Sequence, residues 1–339
     1  MKSYVLLCGL CYVLFLLLAL PTLKFSTASA ASPDKASASA THPDTDGTTR
    51  TEPPAELPDT PEAVFRVLDA SANVVYTFTE RDFLIYTVAA ELPASYPPEA
   101  LKAQAVAAYT YYTYQKTRHA AGVEGADFSD VPGDFPSSYT SDALKKRWGD
   151  QYEHYLQKIA DAVDAVAGEM ILYEGKPIFA AYHSCNSGVT ETAKTVWGVD
   201  YPYLQSVASS GDTLSPKYTS TVTISDKNFA AAFPSLNLTG DASGWINGSP
   251  SVSAAGTVTA ITIGGKTYTG REVRTALGLR SACFTVTYGK DGFTFTVKGY
   301  GHGVGMSQYG AKELADRGFT YEEILKHYYT GVAIQQSSN

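Results

Sequence analysis

Residues Arg81 to Thr117 read RDFLIYTVAAELPASYPPEALKAQAVAAYTYYTYQKT, and one acidic residue in this apolar run, Glu91, decides how the rest is read. Phe83, Leu84, Tyr86 and Val88, with two alanines, predict a mostly buried helix. Pro93 stops it near Leu92, because proline has no amide to donate and disfavours helical backbone in the residue before it. A second helix begins where Pro97 and Pro98 tolerate the missing donor and Glu99 meets the positive helix end. Ala100, Leu101, Gln104, Ala105, Ala108 and Tyr112 then recur near a 3.6 period. Glu91 is therefore expected at a helix C-terminus, in alanine-rich and aromatic surroundings. Desolvation and the negative end of a helix dipole both favour the protonated carboxyl, which makes Glu91 a candidate general acid. The competing reading is structural, a cap on a loop amide after Leu92 and Pro93.

The segment ELPASYPPEALKAQAVAAYT resembles the first motif of the SpoIID/LytB family, and GYGHGVGMSQYGAKELADRGFTYEEILKHYYTGV resembles its last. The motifs stand in the family's order, and the resemblance runs roughly from Phe65 to Val332. It implies a membrane-anchored lytic transglycosylase of peptidoglycan working in sporulation and engulfment, a glycan-cleaving lyase. The family's catalytic acid, the Glu of its E-[ML]-P element, falls on Glu91. The bond cut would join N-acetylmuramic acid to N-acetylglucosamine, leaving 1,6-anhydro-muramoyl ends. Implied partners are the glycan strands, a cell-wall amidase and other engulfment proteins. The family also holds enhancers of cell-wall amidases, so a non-catalytic peptidoglycan-binding module is the alternative. One departure stands out: where the family motif reads A-A-R-T, this chain has Ala107-Ala108-Tyr109-Thr110.

The 339 residues suffice for one large domain, and an aromatic content of 12% with 18% charged residues is that of a globular chain. A net charge of -8 argues against a nucleic-acid partner, and no zinc finger, basic helix or phosphate-cradling loop is present in the sequence. Twenty-four tyrosines offer flat apolar faces with polar tips, suited to sugar rings and equally to half-buried core layers. Between Lys2 and Lys24 an uncharged run of Leu, Val and Phe is long enough to span a bilayer. A cleaved secretory signal is its rival, with Ala28-Ser29-Ala30 as an acceptable site. The expected organisation is a membrane segment over 1–25, a linker over 26–62 too poor in apolar residues to fold, and a domain over 63–335. That domain is expected to be α+β, a single large extracytoplasmic unit of helices and hairpins around a substrate groove. It is held at the cell membrane by one span.

Some family members hold zinc with one His and two Cys in the loop after the Glu91 helices. No Cys lies between Cys11 and Cys185 here, Phe128 and Phe135 occupy the vicinity, and His119 stands alone, so no metal is expected. No cofactor is expected either. Tyr152 to Ala167 has helical spacing, and MILYEGKPIFAAYHS reads as two strands delivering His183 into SCNSGVTETAKTVWG. That stretch resembles the family's Ser- and Gly-rich loop around the groove. Short alternating runs from Val207 to Val297 predict hairpins, interrupted by REVRTALGLRSACF. That segment resembles one of the family's, and the resemblance makes Arg274 and Arg280 candidate anchors for stem-peptide carboxylates, with pairing to Asp or Glu as the structural alternative. In GYGHGVGMSQYGA the glycines allow close backbone approach, and the resemblance turns His302, Ser307 and Gln308 toward the groove. Gln104, His183, Thr190, Glu191, His302, Ser307 and Gln308 are thus the expected substrate-binding set. EEILKHYYTGV closes the domain as a helix stopped by Gly331.

Overall fold

The computed structural model describes residues 63–129, 135–216 and 218–337. All of them fall in one compact unit spanning 57–339. The expected membrane segment and linker lie outside the described residues, and among the described residues no helix is long and apolar enough to cross a membrane.

The unit is mixed α and β around two hydrophobic cores, and the chain enters the first, leaves it for the second, and returns. The first core opens with a hairpin, β1 (Val64–Asp69) antiparallel to β2 (Val74–Thr79). Its turn is closed by Asp69 Oδ1, which accepts from Ser71 N–H at 2.9 Å. Helix α1 (Glu80–Glu91) follows at once, and its N-cap Thr79 accepts from Asp82 N–H at 3.0 Å. Helix α2 (Pro98–Thr117) is the axis of this half. It buries Ala100, Leu101, Ala103, Gln104, Ala105 and six more residues through Tyr112, on more than one face. A helix buried on several faces needs neighbours on several sides. Here α3 (Ser141–Trp148) leads to α4 (Tyr152–Asp164), and α1, α4 and β3 (Glu169–Tyr173) all pack on α2. Its alanines let them approach, and fully buried side chains such as Leu101 and Phe83 each contribute roughly 1.5–3 kcal/mol.

The second half of the expected strand pair is interrupted. β4 is only Lys176–Pro177, and the chain then leaves β3, resuming as β5 (Tyr182–His183) in a different sheet, before α5 (Ala193–Trp197). Pro177 has no amide for a longer ladder.

The second core is built from β6 (Thr219–Ile224), α6 (Asp226–Ala232), β7 (Ile246–Val252), β8 (Val258–Ile263), β9 (Lys266–Tyr268), α7 (Gly270–Leu277), β10 (Phe284–Gly289) and β11 (Gly292–Lys298). Its sheets run β10-β11-β6 and β7-β8-β9. Alternation does its expected work: Phe293, Phe295 and Val297 of β11 and Val258, Ile261 and Ile263 of β8 point inward onto Phe229, which stacks on Phe293 at 4.0 Å.

The return supplies β12 (Met306–Ser307), α8 (Gln308–Asp316), α9 (Tyr321–Tyr328) and β13 (Ala333–Gln336). The closing helix ends at Tyr328, three residues before the expected stop. Gly331, at φ 70°, instead turns the chain into β13, a strand not foreseen in the sequence, which pairs antiparallel with β3.

Candidate active site

Glu91 is the last residue of α1, half-buried, with Leu92 already extended and its N–H bonded to Val88 O at 2.9 Å. Two cations take carbonyls around this helix end. Arg147 Nη1 donates to Ala89 O at 2.8 Å, and Lys158 Nζ donates to Tyr96 O at 2.7 Å. Arg147 satisfies an acceptor that the helix C-terminus leaves open and offsets its negative end, and Lys158 fastens the turn that follows. Glu91's own Oε2 accepts from Gln308 Nε2 at 2.8 Å. Burial, and next the Glu91 charge, hold the Tyr182 hydroxyl well above its ordinary pKa. Burial does the same at Tyr139 and Tyr112, with Glu91 as a smaller cause, so all three stay protonated.

Gln308 reaches Glu91 because the strand before it is fixed. β12 runs parallel to β5 with Met306 opposite Tyr182 and Ser307 opposite His183. Gly305 makes the approach possible: at φ 71° any Cβ there would collide with Ala181 O. Ser307 then caps α8, accepting from Gly310 N–H at 3.1 Å while its hydroxyl donates to Asp212 Oδ1. Asp212 has no exposed surface, its Oδ2 has no hydrogen-bond partner among the described residues, and burial pushes its carboxyl up to about 6 against the pull of Ser307.

The two histidines fasten the glycine segment. His183, 4% exposed, faces Val304 O through Nδ1 at 3.1 Å and Asn186 Nδ2 through Nε2 at 3.3 Å. A carbonyl on one nitrogen and an amide donor on the other assign the neutral Nδ1–H form. His302 accepts from Val304 N–H at Nδ1, 3.1 Å, and its ring lies 5.6 Å from His183 and 5.0 Å from Trp197. Burial first holds both down, His183 to about 3 with the adjacent His302 ring as the smaller cause, and His302 to about 4 with the Arg274 charge as the smaller cause. Both rings are therefore neutral near pH 7.

Thr190 and Glu191 bind protein groups. Thr190 Oγ1 accepts from Val207 N–H at 2.9 Å; Glu191 N–H donates to Gly303 O at 2.7 Å, and its Oε1 accepts from Ser253 Oγ. Gln104 has no exposed surface, and neither amide atom has a partner among the described residues. The fold thus joins Glu91 to Gln308 directly, sets Ser307 opposite His183 through strand register, and lays the His302 ring beside His183. Thr190 and Glu191 pin the adjoining loop, while Gln104 lies inside the core, away from any surface a glycan could reach. Asp212 and Arg147 were not singled out in the sequence, where one sits in a plain Ser-Gly-Asp-Thr loop and the other in a basic helix tail.

The loop after α2, where some family members hold zinc, carries Phe128 and Phe135 in this chain. Among the described residues no three His, Cys, Asp or Glu side chains converge, and His119 is exposed at φ 48°. Aromatic packing fastens the loop after α2 instead: Phe128 meets Tyr112 at 4.7 Å and Phe65 at 5.4 Å, and Phe135 meets Tyr139 at 5.2 Å. Tyr109, where the family motif has Arg, lies on the hairpin side of α2. It packs 6.2 Å from Phe65 and is pushed up to about 12 by burial and then by Glu80.

An α+β unit that suspends one carboxylate between a helix end and a glycine-rich segment defines the class, and comparison with known proteins gives the family. Residues 69–173 match the family model described as stage II sporulation protein. The chain is 36% identical over 337 residues to stage II sporulation protein D of Bacillus amyloliquefaciens, covering 98% of this chain and 96% of that one. Against the Bacillus subtilis protein of the same name it is 37% identical over 334 residues, covering 98% and 94%. It is also 30% identical over 300 residues to the amidase enhancer of Bacillus subtilis, covering 72% of this chain and 39% of that protein. The chain belongs to the stage II sporulation protein D family.

Proposed function

We propose that this chain is a lytic transglycosylase that cleaves peptidoglycan glycan strands during sporulation, with Glu91 as its acid and base. The observation that carries the reading is the setting of Glu91: half-buried, aimed from a helix end, and held by the neutral amide of Gln308. Glu91 in its acid form gives a proton to the glycosidic oxygen as the bond from C1 breaks. The carboxylate left behind takes the proton of the muramoyl C6 hydroxyl while that oxygen bonds to C1, closing the 1,6-anhydro ring. Proton and electron count balance without water. Gln308 serves both halves, because an amide donates to a carboxylate and accepts from a carboxylic acid. A hydrolase would need a second carboxylate to activate water or attack C1. Glu191, the other acid of the expected site, is 5% exposed and engaged by Ser253.

The segment between Lys2 and Lys24 would hold the domain on the outer face of the cell membrane, where glycan strands are met. The likeness to an amidase enhancer keeps one other reading in play, a module that binds peptidoglycan without cutting it. Mass analysis of strands incubated with the purified chain tests both. Anhydro-muramoyl ends are the expected product; hydrolysed reducing ends, or uncut strands, would reject the transglycosylase.

A further inference from the structure

The outer face of the sheet β10-β11-β6 is a grid of threonines. Register sets Thr294 between Thr287 and Thr223, and two residues along it sets Thr296 between Thr285 and Thr221. Residues two apart in a strand share a face, so these six side chains stand on one side of the sheet. Phe284, Phe293, Phe295 and Val297 alternate with them and turn into the second core. The threonines of β10 and β6 are exposed, and the two of β11 are half-buried between them. The hydroxyls of Thr223 and Thr294 bond across the strands at 2.9 Å. No charged residue falls in either row.

The grid leads to the candidate site. In the next row on the same face Lys298 pairs with Thr219 on one side, and on the other its N–H donates to Cys283 O at 2.8 Å. Cys283 and Lys298 line one pocket with Gly301, His302 and Gly303 of the glycine segment. β11 is therefore a track from the turn at Gly289 and Gly292 to the segment that precedes Gln308.

The chemistry of the face selects what it can hold. β10 and β6 are the edges of their sheet, where charged side chains ordinarily keep other chains away, and here the outward positions are threonine. Tight protein interfaces are anchored by Trp, Tyr and Arg, and threonine is scarce among such anchors. Nucleic acid or an anionic lipid surface would need a cluster of cations, and Lys298 is the one cation in these rows. A threonine sets a hydroxyl that both donates and accepts beside a methyl group, on a side chain stiff enough that ordering it on binding costs little. Neutral sugar rings, with hydroxyl and amide edges around apolar faces, match that pattern. An uncharged face also spares a chain of net charge -8 from repelling the acids that a peptidoglycan strand carries.

We propose that this threonine face is an accessory surface for the glycan strand, holding the length of strand that extends beyond the Glu91 site. The inference rests on the peptidoglycan reading above and adds to it a preference for long strands, since a short oligosaccharide fills the site without reaching the sheet.

The test measures binding by the full chain carrying Glu91→Gln, so that strands stay intact, to two probes: long glycan strands stripped of stem peptides, and a tetrasaccharide cut from them. Replacing Thr223, Thr287 and Thr294 together by Val removes three hydroxyls and keeps side-chain shape and strand preference. Long strands should then bind about 10- to 100-fold more weakly, with tetrasaccharide affinity changed by less than about twofold. Ser at the same three positions restores the hydroxyls and should restore most of the affinity. Thr287→Glu, a single change at an exposed position, sets a carboxylate on the face and should weaken long-strand binding in the same selective way without lowering the melting temperature. Parental long-strand affinity in both the Val and the Glu variants, or an equal loss on both probes, would overturn the accessory surface and leave the glycan reading in place. A change in oligomeric state on sedimentation with strand binding intact would overturn it in favour of a contact between copies of the chain. Failure of the parent to bind either probe would overturn both readings.

Discussion

The side-chain amide of Gln308 donates to Oε2 of Glu91 at 2.8 Å, joining residues 217 positions apart in the chain. Glu91 arrives on the helix that opens the domain and Gln308 on the helix that follows its last glycine segment. Neither motif makes the site alone. Folding the first core around α2 sets α1 and α8 against the same helix, and the carboxyl meets its partner there.

In the proposed mechanism Gln308 bears on the chemical step more than on strand binding. Gln308→Leu removes an uncharged partner that can serve Glu91 in both protonation states and should lower kcat by about 10- to 100-fold, with KM changed by less than about threefold. Gln308→Glu sets a second carboxyl within hydrogen-bond distance of the first and should alter the pH profile of kcat as well, since two like charges there cannot both ionise freely. A Gln308→Leu enzyme with unchanged kcat would remove Gln308 from the chemistry.

The two histidines predict a stability loss on the acid side. Each has a folded pKa below its usual 6.5, about 3 for His183 and about 4 for His302, so the unfolded chain binds more protons between those values and 6.5. Stability should fall as pH drops from about 6.5 towards 4. His183→Gln should flatten that slope in melting temperature against pH; parallel curves for the two proteins would contradict a neutral, buried His183.

Asp212 works in the opposite sense. Its folded pKa, about 6, lies above the ordinary 3.8, so its stabilising effect is greatest below about pH 4 and is lost as pH rises through 6. Asp212→Asn keeps an oxygen for the Ser307 hydroxyl and removes the buried charge. The variant should gain in melting temperature relative to the parent between pH 4 and 7, and a constant difference across that range would show that the carboxyl does not titrate there.

Local signals carried the reading furthest where backbone chemistry is decisive. Pro93 and Pro98 placed the break between α1 and α2, and alternating Thr, Val and Phe placed β8, β10 and β11. β13 was missed because AIQQ follows a helix and a glycine with only one large aliphatic residue, and its strand character comes from the open edge of β3. Of the expected site, Glu91, His302, Ser307 and Gln308 stood in motifs whose glycines and proline announce special backbone. The roles of Thr190 and Glu191 as loop fasteners depend on partners 17 and 62 residues away, which spacing does not reveal. Gln104 follows the helical period of α2 correctly, yet period alone cannot tell a groove-facing turn from one enclosed by neighbouring helices. Asp212 gives no signal until Ser307 is set against it.

The most direct measurement is the product of the Glu91→Gln chain on glycan strands, with folding and strand binding checked on the same preparation. The substitution keeps shape and one carbonyl oxygen and removes the proton that moves, so a structural carboxylate would lose about 1 kcal/mol of stability and little cleavage. The account predicts a folded protein that still binds strands and yields no anhydro-muramoyl ends, a fall of several orders of magnitude from the parent. Anhydro-muramoyl ends at near-parental yield from that protein would contradict it.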